Sequence, residues 1–194
     1  MTLSLRERRR LATAREIQLA TLKLAIQHGL ESITTEEIAA AAGVSTRTFF
    51  NYFPNKEAAA VGAPLAFCEE GKAALRDGTG SLARDIKLFL DKHMEALTGD
   101  EPVLRMVGEV LRANEKLRGI LEDFQRQERR ELTECLCRRV NDRQTAATLA
   151  SSIIDAIPRA IFLWENEDDL SLGAALDLIW EGILQASRLL ASSE

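Results

Sequence analysis

Ser45, Thr46, Arg47, Thr48, Phe50, Asn51, Tyr52 and Lys56 crowd into a dozen positions and share one kind of chemistry. Each offers a hydrogen-bond donor, a methyl group or an aromatic ring at helical spacing, and none stands beside a base that would make it a nucleophile. Such side chains read DNA. A guanidinium donates two parallel hydrogen bonds to guanine, and methyl groups and phenyl rings meet the C5-methyl of thymine. Hydroxyls, amides and ammonium groups hold phosphates. Arg47 is the strongest base reader on these grounds, although a phosphate contact or a solvated side chain also suits it. Thr48 and Phe50 fit thymine methyls, with phosphate as the other option for Thr48, and the Tyr52 hydroxyl fits a phosphate. Thr34, Thr35 and Ser45 stand where helices begin, where backbone N–H groups and hydroxyls bind anions as well as cap. Phe49 and Phe53 are expected to face inward.

Local signals define the elements that must carry these residues. Thr34 followed by Glu37 is a capping box, so a helix starts at about Thr35. Ile38, Ala39 and Ala42 share one face of it, kept thin by alanine. Gly43 supplies the positive φ that ends it, and Ser45 caps a second helix over about Thr46–Phe53. Pro54 stops that helix. Two short helices about a glycine turn form a helix-turn-helix. A longer helix precedes them over about Arg8–His28, with Ile17, Thr21, Leu24 and His28 along one face and Gly29 as its stop.

Thr34, Ile38-Ala39, Ala42-Gly43-Val44-Ser45, Thr48, Phe50, Tyr52-Phe53 and Lys56-Glu57 resemble, in order and spacing, the DNA-binding signature of the TetR family of bacterial transcriptional regulators. The resemblance covers about the first third of the chain. It implies an all-α protein with a three-helix, helix-turn-helix DNA-binding head and a helical ligand-binding and dimerisation body, about nine helices in all. It further implies a repressor that binds a palindromic double-stranded operator as a homodimer and responds to a small-molecule effector. Lys56 is implied as a phosphate clamp. Asn51 departs from the bulkier basic or imidazole side chain often found at its position. Between Leu117 and Trp180 an arginine-rich helix, the Arg159-to-Trp164 spacing and an acidic loop resemble a subgroup that senses acyl-CoA-like ligands.

Composition agrees with a helical regulator and excludes other classes. The chain has 194 residues, four of them proline, and a net charge of −5. Residues 1–60 hold eight Lys or Arg against six Glu, a net +2, which leaves −7 for the remainder. Five arginines, Arg8 among them, precede residue 16. A basic end on an acidic body is the charge pattern of a DNA-binding head attached to something that avoids DNA, although an arginine run also serves as a solvated face. Two distant histidines, His28 and His93, with no glycine-rich phosphate loop and no metal-ligand cluster, argue against an enzyme. No cofactor is expected. Cys68, Cys135 and Cys137 lack disulfide or zinc spacing. A thiol-based redox sensor and a DNA-binding protein without effector are the alternatives. No apolar run is expected to cross a membrane, and a cytoplasmic location follows.

The division expected is a DNA-binding domain over 1–56, a linking helix over about 57–76 that Pro64 kinks, and a ligand-binding and dimerisation domain over 77–194. Asp77-Gly78-Thr79-Gly80-Ser81 is the clearest break. Beyond it the periodicity predicts helices over about Leu82–Leu97, Pro102–Asn114, Leu117–Val140, Gln144–Asn166 and Leu172–Ala191. Phe67, Phe89, His93, Met106, Val110, Phe124, Leu163 and Trp164 are candidate pocket residues, although plain core packing is the more ordinary role for each. Leu149, Ile153 and Ile157 on one late helix, with Leu176, Ile179 and Ile183 on the next, make apolar faces wider than one core contact needs. Either a deep core or a four-helix contact with a second copy accounts for them.

Overall fold

Caps written into the sequence set most helix boundaries. In the computed structural model, which describes residues 4–62 and 66–192, α1 (Leu5–His28) opens on a capping box between Ser4 and Glu7 and closes on Gly29 at φ 80°. A 3-10 turn follows over Leu30–Ser32. Next, α2 (Thr35–Ala41) carries the expected Thr34–Glu37 capping box, and Gly43 at φ 66° makes the turn into α3 (Thr46–Tyr52), capped by Ser45. The helix α4 (Lys56–Val61) is capped by Asn55, whose Oδ1 accepts from the Ala58 N–H at 2.7 Å.

Here the expected long helix is corrected. Instead of one helix over 57–76, α4 ends at Gly62, and α5 (Glu69–Asp77) begins separately with Cys68 as its cap. Gly62 takes φ 74°, a conformation that costs a residue with a Cβ, and a Cβ there would run into the Gln18 amide. Gln18 Nε2 occupies that space and donates to the carbonyls of Val61 at 3.1 Å and Ala60 at 3.5 Å. Pro64, expected to kink the long helix, lies outside the described residues. The later helices are α6 (Leu82–Thr98), α7 (Glu101–Ala113), α8 (Glu115–Leu136), α9 (Arg143–Asn166) and α10 (Leu172–Ala191). The described residues thus hold ten α-helices, one more than expected because the fourth divides, and no strand.

The chain forms two compact units. The first joins Met1–Pro64 to Glu101–Phe124. Its core is Ile17, Leu22, Leu30, Ile33, Ile38, Phe49 and Phe53, continued by Val61, Val103, Val110 and Leu117. The second joins Leu65–Asp100 to Gln125–Glu194. There α9 packs on α10, α6 packs on both, and α5 packs on α6. Leu75, Leu90, Leu132, Leu136, Leu172 and Leu176 are fully buried within it. Arg139 closes the glycine break, pairing with Asp85 at 2.6 Å and donating to the Gly80 carbonyl at 2.6 Å.

The expectation that no run could cross a membrane also needs correction, since α9 is long and apolar enough to do so and only about a third of its apolar stretch is buried. Phe162, Leu178, Leu189 and Leu190 on α9 and α10 are largely exposed.

Replacing Gly62 by Ala imposes the positive-φ penalty and displaces Gln18, so it should cost about 1–2 kcal/mol in urea unfolding. An unchanged midpoint would mean that the backbone at residue 62 relaxes without cost.

Candidate nucleic-acid interface

The exposed side of α3 is set by what its other side buries. Phe49 is fully buried and Phe53 nearly so, with their rings 6.3 Å apart, as expected for core residues. With Phe49 inward, Arg47, Phe50 and Asn51 come out together, one helical turn apart, and all three are exposed. Phe50 keeps 52% of its surface and stands edge-on to Phe49, centroids 5.3 Å apart and planes at 88°. Neither Arg47 nor Asn51 is tied by a side-chain hydrogen bond or ion pair among the described residues.

The hydroxyls nearby are already engaged. Ser45 Oγ accepts from the Thr48 N–H at 3.0 Å and lies 2.8 Å from Thr48 Oγ1. Thr34 Oγ1 accepts the Glu37 N–H at 3.2 Å and donates to Glu37 Oε2 at 2.9 Å, while the Thr34 N–H donates to the same carboxylate at 2.7 Å. These bonds hold the Glu37 carboxyl below the usual carboxylate range, the backbone contribution from Thr34 being the largest. Thr35 Oγ1 donates to Glu36 at 3.1 Å. Thr46 and Tyr52 are half-buried beside the exposed face. Arg8 lies on the exposed first turns of α1.

Lys56 has a task that its sequence position does not reveal. Its Nζ donates to the carbonyls of Glu31 and Ile33, each at 3.0 Å, tying the turn before α2 to the start of α4. An ammonium has three protons, so one remains for another acceptor. Its neighbour Glu57 is buried and pairs with Lys116 of α8 at 2.6 Å. Burial pushes the Glu57 carboxyl up, but the Lys116 hydrogen bond, a backbone hydrogen bond and the two lysine charges outweigh it and hold it below its ordinary value.

The candidate pocket residues fall into different places. Phe67 makes tilted ring contacts with Phe89, centroids 4.5 Å apart, and with His93, 4.6 Å apart, in the second unit. Burial pushes the His93 imidazole down to about 4, so it is neutral at physiological pH. Trp164 is buried in the same unit, and Leu163 lines a shallow surface cleft with Pro158, Arg159, Phe162 and Ile179. Met106 and Val110 pack in the core of the first unit, and Phe124 belongs to that unit too. Of the candidate interface residues, Leu149, Ile157, Ile179 and Ile183 keep some exposure. Ile153 and Leu176 are buried at 2% and 0%, leaving no surface for a partner.

One ionic cluster has no counterpart in the sequence expectations. Lys72, itself buried, pairs with Glu131 at 2.6 Å, with Glu128 at 3.4 Å and with Glu69 at 3.8 Å. The Glu128 contact is ionic only, because its Oε2 has no hydrogen bond. Burial pushes the Glu128 carboxyl up against the pull of Lys72. Only a fold that brings α5 to α8 reveals this cluster.

Residues 17–59 match the family described as bacterial regulatory proteins, tetR family. No curated protein sequence matches the chain at a comparable level of significance. Solved structures match its fold. A protein classed as a TetR-family transcriptional regulator from Syntrophomonas wolfei shares 16% identity over 88% of this chain and 92% of its own, with a TM-score of 0.61. The transcriptional regulator FadR from Bacillus subtilis, solved in complex with stearoyl-CoA, shares 19% over 86% and 95%, with a TM-score of 0.54. A TetR-like transcriptional regulator from Rhodococcus shares 16% over 92% and 96%, also at 0.54. Fold and head together define an all-helical protein with an N-terminal helix-turn-helix, among the described residues. The family match covers the helix-turn-helix segment, residues 17–59, and the solved structures share the fold of the chain.

The Glu57 carboxyl gives a pH test. Its folded value is depressed, so its contribution is complete above the unfolded value near 4.5 and is lost as pH falls through the folded value. Lys116→Met should lower the urea midpoint at neutral pH and flatten the acid-side loss of stability. An acid profile identical to wild type would show that the pair carries no linkage.

Proposed function

We propose that this protein is a ligand-responsive repressor that binds a palindromic operator as a homodimer. The observation that carries the reading is the exposed, unengaged face of Arg47, Phe50 and Asn51 on a capped helix within the segment that matches the tetR family. In this reading residues 1–56 form the DNA-binding domain, with Thr34, Thr35, Ser45, Thr46, Thr48, Tyr52, Lys56 and Arg8 positioning it on phosphates. Each protomer of a two-fold dimer places one α3 in the major groove, with centres about 34–36 Å apart. Residues 77–194 supply dimerisation and effector binding, and the exposed apolar side chains of α9 and α10 are the surface offered to the second copy.

The effector is a small apolar molecule, possessing an acyl-CoA-like form in the simplest version. Supporting this are the resemblance of the later helices to an acyl-CoA-sensing subgroup and the fold shared with FadR of Bacillus subtilis, solved with stearoyl-CoA. The aromatic cluster of Phe67, Phe89 and neutral His93 is the apolar site we assign to it. To act, the effector must bind one conformation of the dimer more tightly than the other. A thiol-switched regulator is the second reading. Burial pushes the Cys135 thiol up, the opposite of what a reactive thiolate needs, and so favours the ligand.

Footprinting on the protein's own upstream DNA, with and without long-chain acyl-CoA, tests the whole reading. A protected palindrome that is lost with acyl-CoA supports it, and a palindrome that persists removes acyl-CoA as effector. Arg47→Ala should weaken the specific operator by about 1–3 kcal/mol and relax one base preference; uniform weakening on all DNA would make Arg47 a phosphate contact. Ile179→Asp combined with Ile183→Asp should give monomers in sedimentation, and persistent dimers would place the interface elsewhere.

A further inference from the structure

We infer that a cleft in the first unit, between the end of α1 and the end of α7, binds a small organic ammonium ion. The site goes beyond the function proposed above. It shares no residue with the aromatic cluster assigned to the effector, and its occupant needs no operator.

The cleft has a volume of about 310 Å³, at the small end of the range for ligand pockets. Its walls are apolar. Leu30 and Val110 line it from the core, and Ile26 and Ala113 are exposed beside them. All its lining residues belong to the first unit.

Its charge has one sign. Glu31 and Glu109 both line it, both are exposed, and neither carboxylate holds a hydrogen bond or ion pair among the described residues. No lysine, arginine or histidine lines it. The cations that come near Glu31 are spent elsewhere. Lys116 feels its charge but pairs with Glu57 at 2.6 Å, and Lys56 donates to the Glu31 main-chain carbonyl instead. Two helix ends add to the negative field. Gly29, the C-cap of α1, lines the cleft, as do Val110 and Ala113 from the last turn of α7. A helix C-terminus leaves its last carbonyls without intrahelical partners and carries partial negative charge.

This combination selects among ligands. A carboxylate or phosphate is repelled. An inorganic cation keeps its water and gains nothing from the apolar walls. A neutral hydrocarbon covers the walls but makes no use of the carboxylates. An ammonium on a short carbon chain does both, with its carbons on Ile26 and Leu30. Its three protons are then shared among the two carboxylates and the helix-end carbonyls. Glu31 stands in the turn that leads into α2, so the bound ion bridges that turn to α7.

Three probes of one chain length test this: pentylammonium, pentan-1-ol and pentanoate. Each is titrated at low salt into the full-length, nitrogen-15-labelled protein while amide shifts are followed. We expect pentylammonium to shift Gly29, Leu30, Ala113 and Asn114 saturably, with roughly tenfold the affinity of pentan-1-ol, the sum of two exposed charge contacts and the helix ends. Glu31→Gln and Glu109→Gln should each weaken pentylammonium about threefold and leave pentan-1-ol unchanged. Both carboxylates are exposed and unpaired, so these variants keep the fold. Ala113→Leu fills the cleft with both carboxylates in place, and should weaken the ammonium and the alcohol alike. Equal affinity for the two would overturn the inference. So would tighter binding of pentanoate, glutamine variants that bind as wild type does, or shifts spread over the acidic surface instead of the cleft. Absence of any shift at tens of millimolar pentylammonium would also overturn it, and none of these results bears on DNA binding.

Discussion

The burial of Phe49 in the core shared by the first helices is the interaction on which the head depends. The helices α2 and α3 have seven residues each and α4 has six, lengths at which a helix does not persist by itself in water. They exist because Phe49, Ile38, Ile17 and Leu22, all fully excluded from solvent, share one core. The same burial fixes the rotation of α3 about its own axis. Once residue 49 is inward, 47, 50 and 51 have no other place than outside. The stability of the head and the make-up of its exposed face are thus two consequences of one side chain's position.

Capping and ion pairing fix what the core leaves free. Ser45 and Thr34 satisfy the N–H groups where α3 and α2 begin, and Lys56 ties the preceding turn to α4 through two carbonyls. Glu57, one residue on, is buried because Lys116 reaches it. Positions 56 and 57 therefore anchor the end of the helix-turn-helix in two directions, one through main-chain carbonyls and one through a carboxylate.

Local signals made most of this legible in advance. Thr34 with Glu37, Ser45, Gly29 and Gly43 each act within a turn of themselves, and the helices they bound came out within a few residues of expectation. Ser4 with Glu7 is the same capping signal, yet among so many arginines Glu7 reads only as a charge, and α1 extends earlier than its apolar face suggests. The fourth helix failed for a related reason. Alanine-rich sequence on both sides of Gly62 favours helix continuation, and propensity does not say which glycine will turn left-handed. A glycine followed two positions on by Pro64 was the stop signal to weigh. Non-local facts were illegible. Periodicity shows that Ile153 and Phe162 lie on an apolar helix, but only the fold shows that Ile153 is spent in the core and Phe162 is not. Nor could spacing foretell that Lys72 would meet Glu128 and Glu131 nearly sixty residues away.

The ring at position 50 carries no polar atom, so in the DNA complex proposed above it would distinguish shape and carbon, not base identity. In the major groove 5-methylcytosine carries its methyl at the same ring position as thymine. An apolar reader at that place has no means of telling the two apart by the methyl alone. Chemical marking of cytosine would then offer this helix a contact that the genetic text does not spell, and the affinity of a regulator built this way would depend on the modification state of its DNA as well as on its sequence.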